Sequence, residues 1–220
     1  QGKHVVLKPN FNTADPPPAS THNDTLRQIV TEATNHGATA ITLAERSYQN
    51  FNDVIQIKGI DQLANEMGFD IKFLGNDDYS NFYHTDLHWS NGFRLPNTIR
   101  DAEYLISTCC LKTHQYGGVF TMSMKLAVGL TPKTIRRPMH RSPDMRRMIA
   151  ELNQPFRPQL IVMDGVETFV DGGPTRGEMR PGNVVVAGTD RVAVDAVGLA
   201  ILKELGSNEA VMNTAIFQQE

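Results

Sequence analysis

The sequence has little of what would staple it, anchor it or load it with a familiar cofactor. Only two cysteines occur in 220 residues, Cys109 and Cys110, and they are adjacent. A disulfide between neighbours is strained, so no structural bridge is expected. Two thiols also fall short of the ligand set of a thiolate metal site, and the plain reading is a pair of small buried strand residues. No apolar run approaches the roughly 18 residues that a bilayer span requires. Neither the Walker spacing nor G-x-G-x-x-G is present. No cluster-binding cysteine pattern occurs either, so no iron–sulfur cluster is expected within this chain. The chain opens on Gln1 rather than Met, so the lack of a leader carries no weight. Cytoplasmic residence and export after leader removal both stay open.

What is present is the composition of an ordinary soluble globular chain, 40% hydrophobic and 20% charged, long enough for one α/β domain over residues 1–220. The net charge of −3 is unevenly spread. TPKTIRRPMHRSPDMRR, residues 131–147, sets six bases against the single acid Asp144. Such a run suits an anionic ligand or partner, or a solvated helix face. Nucleic acid is disfavoured, because no aromatics interleave the bases.

Hydrophobic periodicity predicts strand, helix, strand from the start: HVVLKPN, a helix N-capped by Thr21, then ATAITLAE. A second helix is expected over Val54–Met67, and a third strand in DIKFLG. The segment at about 76–100 reads as an edge insertion or hairpin, and Ala102–Cys110 as a strong strand. Met122–Leu130 and Ser142–Leu152 read as helices. QLIVMDGV and NVVVAGTD read as further strands, and Asp190 should N-cap a helix over Arg191–Leu205. The expected class is α/β, a mainly parallel sheet with helices on both faces in a three-layer α/β/α arrangement.

In open α/β sheets ligands bind beyond the carboxyl ends of the strands. That rule selects Lys8 and Asn10, Glu45, Lys112 and His114, and Asp164, each at a separate strand exit. Each has an ordinary alternative: a snorkelling lysine, an Asx turn, a surface ion pair, a turn aspartate. Lys112 and His114 are two apart and share a face of an extended chain, which suits an anion clamp with a proton-transfer group. Lys125 has apolar neighbours, and burial would suit it to base or Schiff-base chemistry or else leave it as a solvent-side lysine. Gly117 and Gly118 would let backbone approach a ligand. Arg176, in GGPTRGE, sits in a loop able to close over such a site. Separately, His84, Asp86 and His88 would share one face of a strand and form a candidate site for a divalent metal, against the plainer reading of a wet sheet edge. Asp195 falls near the apolar side of its helix, where a buried cation, one of these lysines, is the expected partner.

These motifs, taken in order, resemble the bacterial and archaeal family numbered three hundred sixty-two among the domains of unknown function. VVLKPN looks like its opening strand, THND like its helix start, and ISTCCLKTH like its lysine-threonine-histidine strand. MKLAVGL is similar to its Lys-Asn-x-x-Gly segment, with Leu126 in place of the asparagine. DGVETFVDGGPTRGE and VVVAGTDRVAVDAVG look like its closing motifs. The resemblance implies roles for Lys8, Asn10, Lys112, His114, Lys125, Asp164, Asp190 and Asp195. It also implies association with redox proteins, since some members are fused to ferredoxin-like domains, and it implies no particular reaction.

The expected function is an enzyme that binds a small carboxylate or phosphate through Lys8, Lys112 and Lys125, with His114 moving protons and Asp164 or Glu45 orienting. Asn10, Glu45, Gly117, Gly118 and Arg176 would contribute to ligand binding. The basic segment would form a rim. The alternative is a non-catalytic module that binds a metal or a redox protein partner.

Overall fold

The computed structural model describes residues 2–116 and 119–216. Its frame is a seven-stranded sheet ordered β3-β2-β1-β6-β8-β9, with β7 paired to β6. The strands are β1 (His4–Lys8), β2 (Ala40–Glu45), β3 (Asp70–Phe73), β6 (Tyr104–Thr113), β7 (Phe120–Thr121), β8 (Leu160–Gly172) and β9 (Gly177–Gly188). β3, β2, β1, β6 and β8 run parallel, while β9 and β7 are antiparallel additions. A separate two-stranded sheet, β4 (Tyr79–Phe82) with β5 (Phe93–Pro96), stands apart from the main one. The class is α/β with a mainly parallel sheet.

Alternation along the strands sends side chains into two layers. Val5 and Leu7 of β1, Ile106 of β6 and Val162 of β8 pack with α1 (Asn23–Asn35), α2 (Phe51–Ile57) and α3 (Ile60–Met67). On the other face, Val6 and Leu105 join α4 (Asn97–Arg100), α6 (Lys133–Arg141) and α7 (Met145–Leu152). Cys109, Leu111, Ile161 and Met163 join α5 (Ser123–Leu126), α8 (Arg191–Glu204) and α9 (Glu209–Asn213). Each fully buried aliphatic side chain is worth about 1.5–3 kcal/mol relative to exposure. The double-sided burial of β6 therefore makes it the structural centre as well as the strand that ends in Lys-Thr-His.

Several local expectations need correction. The helix expected over Val54–Met67 is two, broken at Gly59, whose φ of +63° is a left-handed conformation that glycine tolerates. Thr21 is not the N-cap of α1. His22 is, accepting the Asp24 amide, while the buried Thr21 hydroxyl accepts the Asn10 amide at 2.9 Å. Met122–Leu130 is one short α-turn, α5, followed by a 3-10 turn over Ala127–Leu130. The segment before Ser142 is itself a helix, α6, which runs through Pro138. No helix among the described residues is long and apolar enough to cross a membrane.

Candidate functional site

The carboxyl ends of β1, β2 and β6 open into one cavity of about 880 Å³. β1 contributes Lys8 and, just beyond it, Asn10. β2 contributes Glu45, and β6 contributes Lys112 with His114 one residue past its end. α5 adds Lys125, the 3-10 turn adds Gly129, and α6 adds Lys133, Arg136, Arg137 and His140. The turn between β8 and β9 closes one side with Pro174 and Thr175. That turn is held by a close backbone approach. A β-carbon on Gly173 (φ +71°) would lie 2.0 Å from the Thr113 carbonyl oxygen, so only glycine fits over the middle residue of the Lys-Thr-His run.

The cations of the cavity are not equivalent. Lys8 is buried against Glu45, Nζ to Oε2 2.8 Å, and also donates to the Pro9 carbonyl. Glu45 in turn accepts the Phe11 and Arg46 amides at 2.8 and 2.6 Å, so this carboxylate is fully engaged. Arg136 donates to the Thr131 and Gly129 carbonyls, and burial pulls its pKa down to about 10. These groups form the floor. Lys112 differs. Only 3% exposed, it donates to the Ala19 carbonyl at 2.5 Å and has no carboxylate partner among the described residues. Burial lowers its pKa, opposed by the nearby thiols and Asp15.

Lys125 and His114 form a pair, Nζ to Nε2 2.7 Å. Burial, and then the Lys112 charge, lower the Lys125 pKa to about 7. Burial, followed by Lys125, His140 and Lys112, lowers that of His114 to about 3. The tautomer follows from geometry. His114 Nδ1 accepts the Tyr116 amide at 3.2 Å, so the proton of the neutral ring sits on Nε2 and points at the Lys125 nitrogen. An amine that receives a hydrogen bond presents its lone pair, which makes the neutral lysine the better match.

Asp195 sets the position of this pair from outside the cavity. It was expected beside a buried lysine, and instead its carboxylate takes both amides that open α5, Ser123 at 2.8 Å and Met124 at 3.0 Å, together with the Ser123 hydroxyl at 2.7 Å. Burial raises its pKa to about 6 against those three donors. Asp190 N-caps α8 through the Val192 and Ala193 amides, as its sequence position implies.

Other expected site residues fall elsewhere. Asp164 does not line the cavity. Its carboxylate accepts the Thr25 hydroxyl (2.5 Å) and the Val166 amide, which ties β8 to α1. Arg176 is exposed on the β8–β9 turn, and its backbone carbonyl, not its side chain, holds Gly173. Gly117 and Gly118 lie outside the described residues. The metal expectation is corrected. His84, Asp86 and His88 are in the connection between β4 and β5, not on a strand, and of the three only His84 and Asp86 meet among the described residues, Nδ1 to Oδ2 3.3 Å. His88 turns to Glu151 at 2.6 Å, and no cluster of three or more metal-ligating side chains forms among the described residues. Tyr48, carried by the exit of β2, lines the site with no motif to mark it, and α6 brings His140 there as part of the basic segment expected at the rim.

A family model described as "Domain of unknown function (DUF362)" matches residues 5–200. The chain belongs to that family. Among curated proteins it is 25% identical over 210 residues to the "Thylakoid-associated protein sll1697" of Synechocystis sp. (strain ATCC 27184 / PCC 6803 / Kazusa). That match covers 92% of this chain and 64% of the relative, so the chain spans under two thirds of that protein's length. Among solved structures, the lactate racemase apoprotein from Thermoanaerobacterium thermosaccharolyticum aligns at a TM-score of 0.47 and 10% identity, covering 88% of this chain and 48% of that one. A likeness so slight carries no argument about this chain. The family segment spans every cavity residue from Lys8 to Thr175, and also Asp195 behind α5.

Proposed function

We propose that this chain is an enzyme whose cavity binds a small organic anion, carboxylate or phosphate, and whose Lys125–His114 pair moves a proton to or from it. One observation carries the reading: among the described residues, six lysine and arginine side chains line the cavity against the single carboxylate of Glu45, which Lys8 already neutralises. Lys112 is the decisive member, because a buried ammonium without a counter-ion is costly and an incoming anion relieves that cost. Lys133 and Arg137, at the α6 rim, would draw the anion in by long-range attraction. The proton-transfer half rests on the 2.7 Å contact between Lys125 Nζ and His114 Nε2. The thiols of Cys109 and Cys110 are held protonated by burial, Glu45 is engaged by Lys8 and two backbone amides, and His140 gives its Nδ1 to the Arg136 carbonyl.

Calorimetric titration with inorganic phosphate, malonate and succinate tests the anion half, on the wild type and on Lys112→Met. At least one anion should bind to the wild type, more weakly as salt rises, and the variant should lose it. Deuterium exchange into a bound carbon acid in D₂O tests the proton half, with His114→Ala and Lys125→Met as controls. Indifference of the protein to all three anions at millimolar concentration would end the reading.

A further inference from the structure

Resting on the anion-site reading, we propose that the substrate is an oxo acid and that Lys125 forms an imine with its carbonyl carbon. Four features point past simple proton transfer. First, Lys125 is the lining lysine whose nitrogen faces neither a carboxylate nor a backbone carbonyl. Lys8 faces Glu45 and the Pro9 carbonyl, Lys112 the Ala19 carbonyl, and Lys133 the Tyr48 carbonyl. Second, its partner is an imidazole, and the Tyr116 amide on Nδ1 keeps a proton on the ring nitrogen that faces the amine. A neutral, nucleophilic amine beside a proton shuttle is the arrangement that attack on a carbonyl requires. Third, the Lys112 charge disfavours an ammonium at Lys125. Fourth, Lys112 with Lys133 and Arg137 would hold the acid group of the substrate and place its carbonyl near the amine, so anion recognition and carbonyl attack use one cavity.

The step balances within the residues present. The Lys125 amine turns its lone pair from the His114 Nε2 proton to the carbonyl carbon and forms the C–N bond as the carbonyl π bond opens. His114 gives its Nε2 proton to the developing alkoxide and takes one from the nitrogen, which leaves a neutral carbinolamine. The hydroxyl then departs with the second nitrogen proton, again through His114. The products are the imine and one water, and no oxidant or reductant takes part. The imine, once protonated, is an electron sink for the carbon next to it, so exchange or cleavage at that carbon is the reaction class that follows.

The experiment is trapping of the full chain with 2-oxobutanoate and sodium borohydride, read by intact mass and peptide mapping, together with malonate calorimetry on the same preparation. The expected result is one adduct per chain. Its mass gain is that of the acid less one oxygen, it maps to Lys125, and excess malonate suppresses it. Lys125→Arg should give no adduct, and His114→Gln should slow trapping at least tenfold. Malonate binding without a Lys125 adduct overturns the imine and leaves the anion site standing. Absence of both overturns the two together. Adducts spread over surface lysines and indifferent to malonate also overturn it.

Discussion

Replacing Lys112 by methionine keeps most of the length of the side chain, one atom short, and removes its charge. It should make the free protein more stable and its grip on anions weaker. The ammonium is almost fully buried and has one hydrogen bond, to the Ala19 carbonyl. Removing it relieves a burial penalty of several kcal/mol, typical of an ion without a partner. It also leaves the Ala19 carbonyl, which has no other hydrogen bond among the described residues, unpaired, at about 1–3 kcal/mol. The balance is a net gain of roughly 1–2 kcal/mol, or about 2–8 °C in Tm for a chain of this size. The gain depends on pH. The native pKa of Lys112 lies below the unfolded value of 10.5. At lower pH both states hold the proton and the burial penalty is present in full. As pH rises through the native pKa the folded wild type releases its proton first, so its stability climbs toward that of the variant. Anion affinity should fall by about 2 kcal/mol or more, near thirtyfold. Urea unfolding at several pH values, with and without malonate, measures both quantities. A variant less stable by more than 2 kcal/mol that still binds malonate as the wild type does would refute the reasoning and make Lys112 a structural strut.

Three further predictions follow from neighbouring contacts. Lys125→Met removes the second-largest cause of the low His114 pKa, so the imidazole should titrate above about 3 but still below 6.5, because burial remains; NMR of the ring protons reads this directly. Asp195→Ala leaves the Ser123 and Met124 amides without their acceptor and should cost about 2–4 kcal/mol in chemical denaturation. The same change should weaken anion binding through the displaced α5, and Asp195→Asn should be milder on both counts. Because the folded pKa of Asp195 is raised to about 6, its contribution to stability should decline as pH rises from about 4 to 6, a slope absent from the asparagine variant. Gly173→Ala forces a β-carbon against the Thr113 carbonyl and should destabilise by at least about 2 kcal/mol, with loss of anion binding if Pro174 and Thr175 move off the cavity; thermal melts with malonate separate the two effects.

Most strands and their order along the chain were legible from sequence because strand-period apolar runs, broken by glycine, proline and helix caps, are local signals. So were the polar residues at strand exits, since the parallel arrangement itself sends those exits to one edge. Helix boundaries were less so. The break at Gly59 and the helix through Pro138 depend on packing that no short window contains. The glycine-rich stretch after Val166 reads as a loop, yet β8 continues to Gly172 and β9 begins at Gly177, because their antiparallel pairing extends both strands. The residues by themselves determined that Lys8, Glu45, Lys112 and His114 end strands and that Lys125 lies on a helix-like segment. Only the tertiary structure decided which of them are spent on one another. Lys8 and Glu45 are 37 positions apart and neutralise each other, and Asp195 turned out to be an anchor for α5, not a counter-ion. It also decided that His88 pairs with Glu151, away from the His84–Asp86 contact. The physical reason is that charge and hydrogen bonding act over a few ångströms of space, and sequence separation says nothing of that distance until the sheet is assembled.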